Sequence, residues 1–247
     1  MGEVGRYLAK AAGQVFEILY PRRCPVCMGI VTPRGALAHK ECTKKLRYIR
    51  EPACKRCGRQ ILRLEEEYCS ACAGREHSYL RGYAVWEYEE KIRHSIAAFK
   101  YHSRKEFADF YAAEAVRLYG NRIRGENPDV LIPVPIHRTR RAERGFNQTE
   151  LLAARVGEAL GIPVDRGYLL RAKQTKRLKN LNAKERKRML LNAFSLGKGQ
   201  EGRYHSVMLV DDIYTTGSTV DACAALLRQA GVEKVIFLCM AIGASTN

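Results

Sequence analysis

The stretch VMLVDDIYTTGST, residues 207–219, opens with four apolar residues, passes through two adjacent carboxylates and ends in hydroxyls around one glycine. The apolar run reads as a buried strand, and STVDACAALLRQAG (218–231), amphipathic and closed by Gly231, reads as the helix that follows it. Asp211 and Asp212 then end the strand, while Thr215, Thr216, Gly217, Ser218 and Thr219 lead into the helix. Backbone N–H groups at a helix N-terminus, with a glycine permitting a tight turn, make a site for a phosphate monoester, and the hydroxyls add donors. Carboxylates do not bind phosphate. They accept hydrogen bonds from sugar hydroxyls or face a divalent cation that the ligand carries. A ribose 5-phosphate satisfies both halves of the stretch, and no G-x-x-x-x-G-K-[ST] loop competes with it.

The text around this stretch alternates strand with helix. YAVWEY (83–88), DVLIPVPI (129–136), SVMLVDD (206–212) and KVIFLCMAI (234–242) are strand-like; residues 90–120, ELLAARVGEAL (150–160) and 218–231 are helical. Such alternation predicts an α/β fold with a mostly parallel sheet and helices on both faces. Ligands of these sheets sit beyond the carboxyl ends of the strands, where the acid pair falls.

Before residue 80 the chain is different. Seven of its nine cysteines lie between 24 and 72, six of them in CPVC (24–27), CKRC (54–57) and CSAC (69–72). Each C-x-x-C starts on a fifteen-residue grid, and the missing unit, at 39, reads HKEC with His39 in place of the first cysteine. The eight ligands are Cys24, Cys27, His39, Cys42, Cys54, Cys57, Cys69 and Cys72. They make two tetrahedral structural zinc sites, with sequential, interleaved and nested pairings of the four knuckles all open. Two thiolates three residues apart grip one metal from a tight turn, and a second turn closes the tetrahedron, leaving no open position for catalysis. The boundaries drawn from composition are 1–80 for a helix and zinc-knuckle domain and 81–247 for the α/β domain. Val4, Tyr7, Leu8, Ala11, Val15, Phe16 and Leu19 approximate helical spacing ahead of the array.

The net charge is +17, with 46% apolar residues, so an anionic partner is expected together with a real core. The longest apolar run, near VIFLCMAIG (235–243), falls far short of the roughly 20 residues that a spanning helix needs. No membrane insertion and a reducing, cytoplasmic location are therefore expected, and metal rather than disulfides accounts for the cysteines. Residues 134–190 hold 15 Lys or Arg against 5 Asp or Glu, a surface suited to following a phosphate backbone, with Tyr101, Phe146 and Tyr168 as candidate platforms for stacking bases.

VMLVDDIYTTGST resembles the signature of type I phosphoribosyltransferases, in which the segment binds the ribose 5-phosphate of phosphoribosyl pyrophosphate (PRPP). On that resemblance IPVPIHRTRRAERGFNQTELLA (132–153) corresponds to the pyrophosphate-binding loop, with Arg138 and Arg144 as its cations. RAKQTKRLKNLNAKERKRMLLNAF (171–194) is similar to the mobile loop that closes over the site. The order of cysteine knuckles, VPIHRTRRAERGFNQ, ERKRMLLNAF and VDDIYTTGST resembles the competence protein F (ComF) family over nearly the whole chain. Two departures stand out: His39 for a cysteine, and Leu178 where a Gln is expected three residues after Thr175. The resemblance implies a sheet of phosphoribosyltransferase type, PRPP bound with magnesium, Asp211 and Asp212 as the residues nearest any chemistry, and a role with single-stranded DNA and competence-machinery proteins. It leaves a binding module, an active phosphoribosyltransferase and a PRPP sensor as alternatives.

Overall fold

The computed structural model describes residues 21–171 and 193–244. The helix expected over 4–19 and all but the ends of the polar segment 171–194, with Thr175 and Leu178, lie outside the described residues. By compactness the chain divides into one unit that ends at Leu46 and a second that begins at Arg47. The second pair of knuckles thus lies in the same unit as the sheet, although composition groups it with the first pair.

The short helix α1 (Lys40–Thr43) belongs to the first unit. The second contains β1 (Arg81–Glu87), α2 (Glu90–Tyr101), α3 (Phe107–Glu126), β2 (Val130–Pro133), α4 (Arg138–Arg144), α5 (Gln148–Leu160), β3 (Leu169–Arg171), β4 (Phe194–Leu196), β5 (Ser206–Tyr214), α6 (Ser218–Gln229) and β6 (Lys234–Ile242). The helical stretch expected over 90–120 is two helices, because the chain leaves the helical path at Ser103, φ +53°. The segment expected to be a pyrophosphate loop contains a helical turn, α4, whose N-cap His137 accepts the Thr139 N–H through Nδ1. The antiparallel pair β3–β4 was not foreseen from the sequence.

Four strands form the central sheet in the order β1-β6-β5-β2, all parallel, with Asp211 opposite Cys239 and Tyr214 opposite Ile242. Parallel strands are covered on both faces, which is why KVIFLCMAI is buried at every position but Lys234. Both edges are covered. Arg47–Ile49 runs antiparallel beside β1, with the Ile49 N–H donating to the Val85 carbonyl at 3.0 Å, and Val164 bridges Leu131 beside β2. The acid pair does not end its strand, as the sequence reading had it: β5 continues through Ile213 and Tyr214, both paired with β6.

On one face Trp86 stacks on Phe110 of α3, and Tyr111 meets Phe99 of α2 edge-on. On the other, Phe237 stacks on Tyr214 at 5.1 Å and takes the Tyr79 ring edge-on at 4.9 Å. Gly82 passes directly beneath Phe237, where a Cβ would run into the ring. The buried cysteines Cys54, Cys57, Cys69 and Cys72 share this second cluster with Leu209, Val220 and Phe237, so the second pair of knuckles and the sheet have one core. Among the described residues no helix is long and apolar enough to cross a membrane.

Phe237 therefore joins three elements at one ring. Phe237→Ala is expected to cost about 3–5 kcal/mol, read as a lower denaturant midpoint with an unchanged slope.

Candidate functional site

The knuckles pair sequentially. Cys24, Cys27, His39 and Cys42 converge in one group and Cys54, Cys57, Cys69 and Cys72 in another, with all ligand atoms of a group within 4.8 Å of one another. The Sγ atoms of Cys57 and Cys69 are 3.7 Å apart, and His39 Nδ1 is 3.4 Å from Cys27 Sγ. A tetrahedron with metal–sulfur bonds of about 2.3 Å has edges of about 3.8 Å, so the donor sets fit zinc. His39 reaches the Ile30 carbonyl through Nε2 at 2.9 Å. An N–H placed there leaves the Nδ1 lone pair to face the thiols, the orienting contact expected of a ligating histidine. The two sites repeat one turn: Cys24 N–H donates to the Gly29 carbonyl as Cys54 N–H does to Arg59, and Met28 and Gly58, just after each knuckle, both have positive φ.

At the carboxyl end of β5, Asp211 and residues 213–220 line a small hollow. Gly217 is the N-cap of α6 at φ +76°, and a Cβ there would run into the Tyr214 ring and hydroxyl. A glycine cap supplies no side-chain acceptor, so the first-turn amides of α6 have no side-chain cap. Thr215 and Thr216 are exposed at the mouth of the hollow, and Thr216 Oγ1 lies 2.9 Å from Ser218 Oγ. Together with Thr219, these groups form a concave set of donors suited to an oxyanion.

Asp211 and Asp212 are neighbours on a strand and so point to opposite faces. Asp212 Oδ2 pairs with Lys100 Nζ of α2 at 2.9 Å. Asp211 turns toward α6, where its charge helps to raise the Cys223 thiol, itself lifted mainly by burial. The Asp211 carboxyl is pushed up to about 7, first by burial and then by the Asp212 charge, although it accepts the Asp212 N–H at 2.8 Å. Lys100 was not singled out from the sequence. Neither were Arg59, whose guanidinium donates to the carbonyls of Thr215 (3.3 Å) and Ala244 (2.9 Å), nor Tyr79, whose hydroxyl lies 2.7 Å from that of Tyr214.

The β2–α4 segment leaves the sheet beside the acids, the Val134 N–H donating to the Val210 carbonyl at 2.9 Å. Arg138 and Arg140 are exposed there. Arg141 is held bidentately by Glu150, and Arg144 lies over the Tyr101 ring at 4.8 Å while donating to its hydroxyl. Tyr101 is 62% exposed and Phe146 half-buried under Lys105, but Tyr168 is fully buried and is no stacking platform. A larger cavity, about 360 Å³, lies at the amino end of β1 between Arg50, Lys55, Arg81, Tyr119 and Arg122. It is at the opposite end of the sheet from the acids. Three of its four cations are already paired: Lys55 with Glu67, Arg81 with Glu126 and Arg122 with Glu51. The convergent chemistry is therefore in the smaller hollow.

Two measurements check these centres. Purified protein is expected to carry two zinc ions per chain, falling to about one in Cys57→Ser with a loss of stability. The second concerns Asp211, whose folded-state pKa lies above its unfolded value of about 4. Between about pH 4 and 7 the folded state binds more protons than the unfolded, so stability falls as pH rises through that window. Asp211→Asn is expected to flatten this fall and to exceed the parent by about 1–3 kcal/mol at pH 8 in denaturant titrations.

Comparison with known proteins adds the family. Residues 15–73 match the double zinc ribbon domain. The chain is 34% identical over 218 residues to competence protein F of Haemophilus influenzae, an alignment covering 86% of this chain and 93% of that protein. It is 32% identical over 175 residues to the DNA utilization protein YhgH of Salmonella typhimurium, covering 70% of this chain and 76% of that one. Among solved structures, the purine phosphoribosyltransferase from Pyrococcus horikoshii Ot3 aligns with 54% of this chain and 73% of its own, at 18% identity and a TM-score of 0.35. With a double zinc ribbon ahead of a parallel sheet, and identity of 34% to competence protein F across most of both chains, this chain belongs to the competence protein F (ComF) family.

Proposed function

We propose that this protein binds PRPP with magnesium at the carboxyl end of β5 and acts in the cytoplasm in handling single-stranded DNA during uptake. The observation that carries the ligand is the hollow of residues 213–220 with its glycine-capped helix N-terminus, one short step along β5 from two carboxylates. The 5-phosphate takes the amides of α6 and the hydroxyls of Thr215, Thr216, Ser218 and Thr219; the ribose hydroxyls donate to the acids. The pyrophosphate extends toward the β2–α4 segment, where Arg138 is an exposed cation, while Arg144 meets it only by leaving Tyr101. Magnesium, when bound, offsets charge between the pyrophosphate oxygens.

The DNA reading draws on the charge of +17 and on relatives named for competence and for DNA utilization. Arg138 and Arg140 are exposed toward phosphates, where Arg141 is held by Glu150, and the exposed ring of Tyr101 under Arg144 offers a surface for a base. Proteins of the competence machinery are the natural partners in that setting. A second reading, transfer of the phosphoribosyl group, is favoured by the acids lying on the ribose side: departure of pyrophosphate would leave positive charge on the sugar carbon, which a carboxylate stabilises.

Calorimetry with PRPP and magnesium is expected to give binding heat that the Asp211→Ala, Asp212→Ala double variant loses; equal heats in the two proteins would sink the assignment. Pyrophosphate release with one base from a panel would establish the transferase, and binding without release favours sensing or DNA handling. Retention of single-stranded DNA should fall steeply with salt, and replacing Arg138 and Arg140 with Ser should lower the salt slope by about 1–2.

A further inference from the structure

Asp212 is not an isolated carboxylate. Lys100 Nζ lies 2.9 Å from its Oδ2, with the two side chains only 15% and 14% exposed. The ammonium arrives from a packed helix and not from a loop: Ile92, Ile96 and Phe99 of α2 are buried, and Ser95 of the same helix is hydrogen-bonded to Tyr111 of α3 at 2.6 Å. On the other face of the strand, Asp211 is near the Arg171 guanidinium and keeps part of its proton at neutral pH. The pair is thus close to charge balance before any ligand arrives. A divalent cation entering at Asp212 would have to expel an ammonium from a mostly buried carboxylate, a step that is unfavourable where water is scarce. A neutral hydroxyl does not require it, because Lys100 occupies one lone-pair direction of Asp212 and leaves others to accept from a diol.

We propose that Lys100 is a built-in counter-ion that closes Asp212 to a divalent metal and leaves it an acceptor for neutral sugar hydroxyls. Magnesium in the PRPP complex then stays with the pyrophosphate and is not held by Asp212. The identity of the ligand rests on the PRPP reading above; the exclusion of metal does not. Lys100 acts through Asp212 and is a positioning residue.

The test uses the zinc-loaded full chain and Mn²⁺ as probe, followed by its electron paramagnetic resonance signal. Wild type and Lys100→Arg should bind Mn²⁺ at the pair weakly and alike. Lys100→Met should bind it at least about ten-fold more tightly, since one adjacent positive charge has been removed, and Asp212→Asn in the same chain should abolish the gain. Lys100→Gln, which keeps a hydrogen-bond donor without the charge, should behave like Lys100→Met and guards against a folding defect in the latter. Mn²⁺ binding in wild type as tight as in Lys100→Met, and lost in Asp212→Asn, would overturn the proposal. In parallel, ribose 5-phosphate should bind the zinc-loaded wild type within about two-fold of the same affinity with or without added magnesium, and 2-deoxyribose 5-phosphate should bind more weakly. Strict dependence of ribose 5-phosphate binding on added magnesium would also overturn it. Failure of both sugars to bind, with the Mn²⁺ pattern intact, would sink the PRPP reading and the hydroxyl-reading half, leaving the exclusion of metal standing.

Discussion

The hydroxyl of Tyr79 meets that of Tyr214 at 2.7 Å, and around this contact the candidate site is held in shape. Tyr214 is the last residue of β5, and its ring lies where a side chain at 217 would have to go. Two further bonds reach the same turn from outside the sheet. Arg59 holds the Thr215 carbonyl, and the Ser78 N–H donates to Asp221 in the first turn of α6. Arg59 follows Cys57 by two residues, so the position of its guanidinium depends on the zinc-bound turn. A loop of threonines, serine and glycine has little apolar surface with which to order itself. The second zinc ribbon supplies that order from across the core, so the metal centre, chemically closed, acts on the hydroxyl turn through packing and hydrogen bonds.

The alternation of a β-strand explains the asymmetry of the two acids. Consecutive side chains on β5 enter different layers, Asp212 the one built by α2 and α3, Asp211 the one built by α6 and the β3–β4 pair. One carboxylate receives an ammonium and the other is left to burial, which pushes it up to about 7. Two identical residues side by side in the sequence thus meet unlike surroundings, one facing an ammonium and the other desolvated.

The basic character of the chain is more structured than its total suggests. Many arginines that read as free charge are committed: Arg141 to Glu150, Arg155 to Asp109, Arg122 to Glu51, Arg59 to backbone carbonyls. Exposed pairs of this kind contribute little to stability, but they withdraw cations from the pool able to meet a polyanion. Arg138 and Arg140 are exposed on α4, next to the carboxyl end of β2.

Much of this was legible in the sequence. The eight metal ligands stand on a fifteen-residue grid, the strands of the central sheet carry apolar runs, and the hydroxyl turn leading into α6 is contiguous; each is a local pattern, set by the geometry of a knuckle, a strand or a helix cap. What only the tertiary structure decided is separated along the chain. The choice of sequential knuckle pairing, the continuation of β5 past the acids through pairing with β6, the burial of Tyr168, and the meeting of Lys100 with Asp212 leave no mark on local periodicity. The contacts of Arg59 with Thr215 and of Tyr79 with Tyr214 join residues 156 and 135 positions apart. A single sequence states which residues can bind a metal or cap a helix; which charge neutralises which carboxylate follows from the layers the sheet brings together, and that depends on the packing of the whole core.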